Sequence, residues 1–374
     1  MSSEMLLSRQ LDWREPDWRG RRRVVTRSEA LRFVDRFAQL VVIEEKRDFG
    51  WSRWVFVLLR AFGEPDVQHV PVFAQDFLTA SPGSNQTYTS DPTWNNAANS
   101  IETVAGGGSG GSANHFLSAR FAGGGSGGAW NKINNFSFAS PGTTTAAYRI
   151  GAAGASVTPG LFANLAGNAG GDTWFNGANL AGASVASKAG AGGPASNTVN
   201  NQSGAAGGSG AAGVGSLSNN GGNGGSSGAS ASGRVATGGG GAAGPNGAGS
   251  NGVQGNSSNA KTNGGAGDNG SGGSAGVADG GAGADGSEWG AGKGSGGGGA
   301  GGGTAGGAAG NYGAGGGAVA TTSFGTSGAG AQGIIVLTWT PGVAAIYIGA
   351  AGQSTVYLAA SAVSSMYLGD KSLF

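Results

Sequence analysis

Few residues in this chain are of types that do chemistry, and their spacing builds none of the usual constellations. There are two histidines, His69 and His115, and no cysteine in 374 residues. Neither histidine has an acidic or nucleophilic motif around it, so a structural role is the simpler reading for both. Paired carboxylates for general acid–base work could be drawn only from Asp268, Asp279, Asp285 and Glu288. Their Asn/Asp/Gly-rich surroundings suggest calcium loops. Neither the calcium-loop ligand pattern nor a regular Asp-bearing repeat is present. Gly-x-Gly-x-x-Gly matches are expected by chance here, and no strand–turn–helix context or phosphate-loop Lys-Ser/Thr follows them. Without thiols there is no disulfide framework or thiolate metal site. The expectation is a protein that is not an enzyme and uses no cofactor and no metal.

What remains for function is a surface. Trp289 and Tyr312 stand out in a stretch almost free of aromatics. Each could anchor a ligand such as a sugar, although capping the structure around it is the simpler role. Tyr347, Tyr357 and Tyr367 recur every ten residues near the end of the sequence. They could form a binding stripe, with cross-strand packing the plainer alternative. These five residues are the candidate surface-binding positions.

The elements that must position them are unusual. Residues 201–330 are about two-fifths glycine, and nearly all the rest is Ala, Ser, Asn or Thr. Such a stretch cannot build an ordinary side-chain core. Glycine loses the most backbone freedom on folding, so a chain this rich in it (Gly 83 overall) either leaves it loose or uses its missing side chain. Collagen requires glycine at every third position with abundant proline. Runs such as Gly296-Gly297-Gly298-Gly299-Ala300-Gly301 and a total of 10 prolines exclude it. A flexible linker is the next alternative, but linkers are rarely this long, and both flanks read as strands of one domain. The favoured reading is an ordered array of extended glycine helices of the polyproline-II type, polyglycine-II-like. Packed side by side, they satisfy one another's N–H and C=O groups.

Charge is unevenly shared. The formal net charge is +1, so no global field favours nucleic acid or a membrane. No window approaches the roughly 20 apolar residues of a membrane span, and the first residues lack the order of a secretory signal. Residues 1–80 carry 13 of the 21 Lys+Arg and 12 of the 20 Asp+Glu. A boundary follows at Ser81-Pro82-Gly83-Ser84. Within 1–80, Thr26-Arg27-Ser28-Glu29 fits a capping box, and Ala30, Leu31, Phe33, Val34, Phe37, Ala38, Val41 and Val42 follow helical spacing. Trp51 to Phe62 reads as a buried strand. Arg21-Arg22-Arg23 is diluted by Asp12, Glu15, Asp17 and Glu29, so a solvated face or an acidic protein partner is preferred over nucleic acid. The region is expected to be a small α+β unit, either an ordinary small core or an adaptor that docks on another protein.

Residues 81–197 alternate strand-like pieces with glycine turns. These are Ser100 to Val104, His115 to Phe121, Ala129 to Ile133, Thr145 to Ile150 and Asp172 to Gly177. Ser140-Pro141-Gly142-Thr143 suggests that the third and fourth of them form an antiparallel pair. A far partner for the strand at Thr173 is expected at Gly333 to Thr340, which would close the glycine tract at both ends on one scaffold. After it, Ile346-Tyr347-Ile348, Val356-Tyr357-Leu358 and Met366-Tyr367-Leu368 read as three short antiparallel strands, with aliphatics on one face and tyrosines on the other. The expected fold is mainly β. An antiparallel scaffold (81–197) carries the inserted glycine-rich array (198–332), beside a small α+β adaptor (1–80), and 333–374 supplies a closing strand and a three-strand tyrosine module.

An ordered series of motifs then points to a family. Thr93-Trp94-Asn95-Asn96-Ala97-Ala98-Asn99-Ser100-Ile101-Glu102 comes first, followed by Gly123-Gly124-Gly125-Ser126-Gly127-Gly128-Ala129-Trp130. Ser140-Pro141-Gly142, Tyr148-Arg149-Ile150-Gly151-Ala152 and Gly171-Asp172-Thr173-Trp174-Phe175-Asn176-Gly177 come next. Ala242-Ala243-Gly244-Pro245-Asn246-Gly247, Glu288-Trp289 and Gly333-Ile334-Ile335-Val336 complete it. The series resembles glycine-rich domain proteins of tailed bacteriophages and prophages over about residues 90–342, and the terminal Tyr-Leu-Gly repeats resemble short modules at the ends of phage virion proteins. The resemblance implies a virion structural protein of the tail-fibre or tail-tip type, exposed on the particle surface. Its expected partners are other virion proteins through residues 1–80 and a host cell-surface glycan or outer-membrane protein, with no nucleic acid. Fibres are commonly threefold, which makes a homo-oligomer, a trimer, the expected assembly. A head fibre or capsid decoration protein without a receptor is the alternative, and a glycine-rich bacterial surface or ice-binding protein a third class.

Overall fold

The computed structural model describes residues 73–114, 119–268, 270–276, 278–286 and 295–341, and outside these the backbone of short strands near both ends of the chain. The chain divides into two compact units, Met1–Ala74 with Thr340–Phe374, and Gln75–Trp339. The second unit takes in the closing strand together with the scaffold and the glycine-rich stretch. Its start at Gln75 precedes the charge boundary at Ser81.

In the first unit, β1 (Arg14–Pro16) pairs antiparallel with β2 (Arg22–Val24). β3 (Gln39–Arg47) and β4 (Trp51–Leu59) form a hairpin in the register Gln39↔Leu59 to Arg47↔Trp51. The strand expected from Trp51 is there. The helical spacing expected to run through Val41 and Val42 fails at that end, where both residues are in β3. Val41, Val42 and Ile43 face Val57, Phe56 and Val55 in register. Branched side chains of this kind are stiff at χ1, which disfavours helix and favours cross-strand pairing.

The second unit is mainly β, with antiparallel sheets and almost no helix. Its strands are β5 (Ala74–Leu78), β6 (Asn85–Thr89), β7 (Asn99–Val104), β8 (Ser112–Asn114), β9 (Arg120–Ala122), β10 (Trp130–Asn134), β11 (Thr145–Arg149) and β12 (Asn164–Leu165). β13 (Thr173–Phe175), β14 (Val185–Ser187), β15 (Ala195–Ser196), β16 (Leu217–Asn219), β17 (Arg234–Ala236), β18 (Val319–Thr321) and β19 (Ile334–Trp339) follow. A five-stranded sheet has the order β16-β10-β7-β19-β5 and a four-stranded sheet the order β14-β13-β11-β6.

Two expected pairings are replaced. β10 and β11 lie in different sheets, β10 between β16 and β7, β11 between β13 and β6. The connection between them is pulled across the core. Asn99 Nδ2 donates to the Phe136 carbonyl and its Oδ1 accepts from the Phe136 amide, while Asn96 does the same with Phe138. Phe136 and Phe138 then pack edge-on against Phe175. The strand at Thr173 pairs with β11 and β14, not with β19. β19 pairs with β7 instead, from Ile334↔Val104 to Trp339↔Asn99. Residues that bracket the whole glycine-rich stretch are thus hydrogen-bonded neighbours.

The sheets bury a conventional core. Trp339 stacks at 5.2 Å from Trp94, and Phe175 and Tyr88 are 5.9 Å apart. Thr103 and Ser187 share a buried hydroxyl hydrogen bond at 2.7 Å, and Ser187 also donates to the Thr103 carbonyl. Buried Glu102 accepts from Trp130 Nε1 and from Lys132 Nζ, so its charge is paired and bonded.

Beyond these sheets, the glycine-rich segments bond to one another through the backbone. From Ala105 to Gly111, successive N–H groups donate to the carbonyls of Ala129, Gly171, Ala331, Ser126, Asn168, Gly328 and Gly123, at 2.8–3.1 Å. The direction of donation returns every third residue, whereas a strand in a sheet alternates with period 2. The same rotation recurs from Gly239 to Ala243, whose N–H groups reach Gly298, Gly125, Ser250, Ser295 and Gly128. It recurs again from Gly296 to Gly301, through Ala284, Gly265, Gly315, Gly281, Thr262 and Ala318. A Cβ on Gly107 would lie 2.0 Å from the Ala314 carbonyl oxygen, which is why a residue without one is needed there. Where the segments meet the sheets, Val104, Trp130, Ala243, Ile334 and Val336 form a buried cluster. At their opposite ends, Ala113, Ala122, Ala236, Ala300, Ala318 and Ala320 form another. Two three-stranded sheets, β12-β8-β18 and β15-β9-β17, finish that second end, each with a parallel pair.

Near the end of the chain, β20 (Tyr357–Leu358) pairs with β21 (Ser361–Ala362) and β22 (Tyr367–Leu368) with β23 (Lys371–Ser372). The expected strands at Tyr357 and Tyr367 exist. Each pairs with the residues just after it rather than with the next repeat, because a tight turn closes with less entropy loss than a longer connection.

Candidate ligand-binding face

The five aromatic positions singled out in the sequence do not form one described site. Tyr312 is partly buried against the cluster of Val104, Trp130 and Ile334, at the sheet end of the glycine-rich segments. Burial pushes its phenol above the ordinary value, with Thr79 beside the hydroxyl opposing the rise and Asp285 adding to it. Tyr357 and Tyr367 begin β20 and β22 in the other unit. Trp289 and Tyr347 lie outside the described residues, as does His115.

Instead, the geometry directs attention to the end of the segments remote from the large sheets. There the loops are tied to one another. Val157 and Ser327 bond twice, through Val157 N–H to Ser327 Oγ and Ser327 N–H to the Val157 carbonyl. Asn114 N–H donates to the Ala163 carbonyl, Asn164 bonds Asn197, and Ser232 bridges to Ser258. A rigid support for neighbouring loops is what a recognition surface needs.

Two kinds of side chain are presented at this end. Leu161, Phe162 and Phe324 are 56%, 65% and 59% exposed, on the loops that follow Val157 and precede Ser327. The second set is cationic. Arg120 in β9 and Arg234 in β17 are register partners in adjacent parallel strands, so they leave the same face roughly 4.8 Å apart. Arg120 Nε is buried without a hydrogen-bond partner. Lys261 follows in the next segment, bridged to Ala236 and donating from Nζ to the Asn259 carbonyl. Burial, and then the charge of Arg234, hold its ammonium below the ordinary lysine value. Beside it opens a cleft of about 610 Å³, lined by Gln254, Asn256, Ser258, Asn259, Lys261 and Thr262 among others.

The carboxylates lie elsewhere or are engaged. Asp172 pairs with Lys188 and Glu102 with Lys132 beside the large sheets. Asp279 accepts from Thr304 Oγ1 and the Ala305 amide, which hold its carboxyl below the ordinary value. Asp268 accepts from Asn246, and Asp285 from the Asn311 amide. Among the described residues no group of side chains could hold a metal ion, and no helix is long and apolar enough to cross a membrane.

Sequence reasoning passed over Arg120, Arg234 and Lys261. For Arg234 and Lys261 the available signal was isolation, since few cations occur in residues 201–330; Arg120, in the strand-like piece His115 to Phe121, carried no such mark. Compared with known proteins, the chain matches no family model and no curated sequence.

Proposed function

We propose that this chain is a structural protein of a bacteriophage particle, a tail-fibre or tail-tip component that displays a host-receptor-binding surface. In this reading the glycine-rich stretch is an array of polyglycine-II-type helices inserted between strands of the β scaffold. The period-3 rotation of backbone donors and the close approach at Gly107 support that description. The array is a stiff body with few charges. Its sheet end carries Gln75 and Trp339, where the chain passes to the other unit, and its far end carries the joined loops.

The observation that carries the reading is this polarity. Exposed Leu161, Phe162 and Phe324 and the cations Arg120, Arg234 and Lys261 lie at the loop end, while the described ion pairs lie beside the large sheets, where exposed Leu217 and Arg149, whose Nε also lacks a partner, are found on separate strands. Such an arrangement fits display of a binding surface away from an anchored base. Residues 1–80 are assigned the docking role on other virion proteins, and the activity is adhesion, not catalysis.

Purified full-length protein, fluorescently labelled, tests this on a panel of bacterial strains. Saturable binding to some strains that unlabelled protein competes away is expected. Absence of binding across the panel, with incorporation into particles intact, would move the assignment to a head fibre or capsid decoration protein. Trimming residues 1–80 is expected to abolish incorporation into particles, and continued incorporation would refute the docking role.

A further inference from the structure

We propose that the loop end binds an anionic saccharide, through the cations Arg120, Arg234 and Lys261 and the cleft that Lys261 lines. This rests on the host-surface reading above and names the ligand class for it. The shared chemistry is a phosphate or carboxylate group carried on a sugar.

The argument begins with an electrostatic cost. Like charges directly opposite one another on adjacent strands destabilise a sheet. Arg120 and Arg234 stand in that relation, and Lys261 is close enough for Arg234 to disfavour its charged form. A counter-charge would offset this, yet among the described residues none is placed to do so. The carboxylates of Glu102, Asp172, Asp268, Asp279 and Asp285 all have partners of their own. Arg120 Nε is an orphan donor as well, and a buried unsatisfied donor is costly. The repulsion among these cations falls when an anion lies between them. Guanidinium groups suit the purpose, because their planar fork matches the oxygens of phosphate and carboxylate.

The cleft supplies the rest of a saccharide site. Its lining of Gln254, Asn256, Ser258 and Asn259 offers amide and hydroxyl groups that can donate and accept, the pattern that sugar hydroxyls require. It is broad and open to solvent rather than enclosed. Amide and hydroxyl groups around the Lys261 ammonium, with Ala260 and Ala275 beside them, suit the mixed polar and apolar surface of a charged sugar. The loop that lines it is fixed to the strand of Arg234, since Asn259 Oδ1 accepts from the Arg234 amide and Asn259 N–H donates to the Ser232 carbonyl.

The test uses full-length protein immobilised for biolayer interferometry, with three polymer probes. Polygalacturonate carries carboxylates, yeast phosphomannan carries phosphodiesters, and dextran is neutral. Binding to at least one anionic polymer is expected, at least tenfold tighter than to dextran. Polygalacturonate alone would identify carboxylate as the group recognised, and phosphomannan alone phosphate. The double variant Arg234→Ser/Lys261→Asn should weaken that binding tenfold or more. A second measurement needs no variant: wild-type binding should fall at least tenfold as sodium chloride rises from low salt to about 1 M, where screening acts over about 3 Å. Wild-type protein that binds neither anionic polymer overturns the proposal, as does equal binding to dextran. So does affinity unchanged by the double substitution or by salt. Labelled wild-type protein is applied to the bacterial panel in parallel. Saturable cell binding without polymer binding would refute the ligand class and leave the adhesion reading intact. Polymer binding without cell binding would do the reverse.

Discussion

The two ends of the Gln75–Trp339 unit are held together by opposite means. At the sheet end, cohesion comes from side chains: Phe175 and Trp339 are almost fully buried, and Trp94, Tyr88 and Phe138 pack around them. In the glycine-rich segments cohesion comes from the main chain. Each N–H of residues 105–111 has a carbonyl partner on a different segment, and the packing distance is set by the absence of Cβ atoms. The comparison separates two sources of sensitivity. A side-chain core suffers when atoms are removed, whereas a backbone-packed body suffers when atoms are added.

The sharpest way to break the comparison is to exchange the two kinds of damage. Phe175→Ala should destabilise the unit by about 3–5 kcal/mol, from lost transfer energy and the cavity left behind. Calorimetric melting of the full-length protein reads it, and a loss below about 1 kcal/mol would mean that the sheet end is not side-chain packed. Gly107→Ala adds one methyl where the nearest atom is a backbone oxygen at 2.0 Å. It should cost about 3 kcal/mol, near the top of the usual overpacking range, because that oxygen cannot rotate away as a side chain would. Unchanged melting would refute backbone packing at that position.

Smaller effects sharpen the contrast between segment and loop. A Cβ on Gly160, in an exposed loop, would meet nothing within 4 Å. Gly160→Ala should therefore be neutral or stabilise by about 0.4–1 kcal/mol, by restricting the unfolded chain. A melting temperature lowered by more than a degree or two would contradict this.

The smallest expected effect is on pH. Bonds from Thr304 and Ala305 hold the Asp279 carboxyl below the ordinary carboxylate value. A depressed carboxyl contributes stability that is present above the unfolded value and lost as pH falls through the folded one. As pH falls from the ordinary aspartate range, about 4, through the lower folded value, amide exchange at Ala305 should accelerate, relative to the intrinsic rate, while that at Gly107 stays protected. Equal acceleration at both sites would show that the effect is not local.

Several strands were legible from the order of residues alone. Ser100 to Val104, Ala129 to Ile133, Thr145 to Ile150, Trp174-Phe175 and Ile334 to Trp339 all contain branched or aromatic residues between turn signals, and each coincides with strand in the fold. Gly142, read as a turn residue, has φ of 88°. Their partners were not legible. β14 is one valine followed by Ala186 and Ser187, a composition that in this chain marks no element, and it is buried because Phe175 and Thr173 lie opposite it, Ser187 bonds Thr103 and Asn131, and Ala186 packs with Val214. Helical spacing from Ala30 to Val42 was likewise a local signal, and at Val41 and Val42 cross-strand pairing with β4 prevails.

The candidate face shows the same division. Composition fixed that side chains could not build the middle of this protein, because glycine and alanine offer too little apolar area to bury. It also fixed that few charges were available to any surface. Which of those charges become neighbours was decided by register. Arg120 and Arg234 are far apart in sequence and share a face because β9 and β17 run parallel with those residues opposed. A chain so uniform in composition carries almost no local mark of its own pairing. The hydrogen bonds that set the pairing are between identical backbone groups, so only the assembled lattice selects among them.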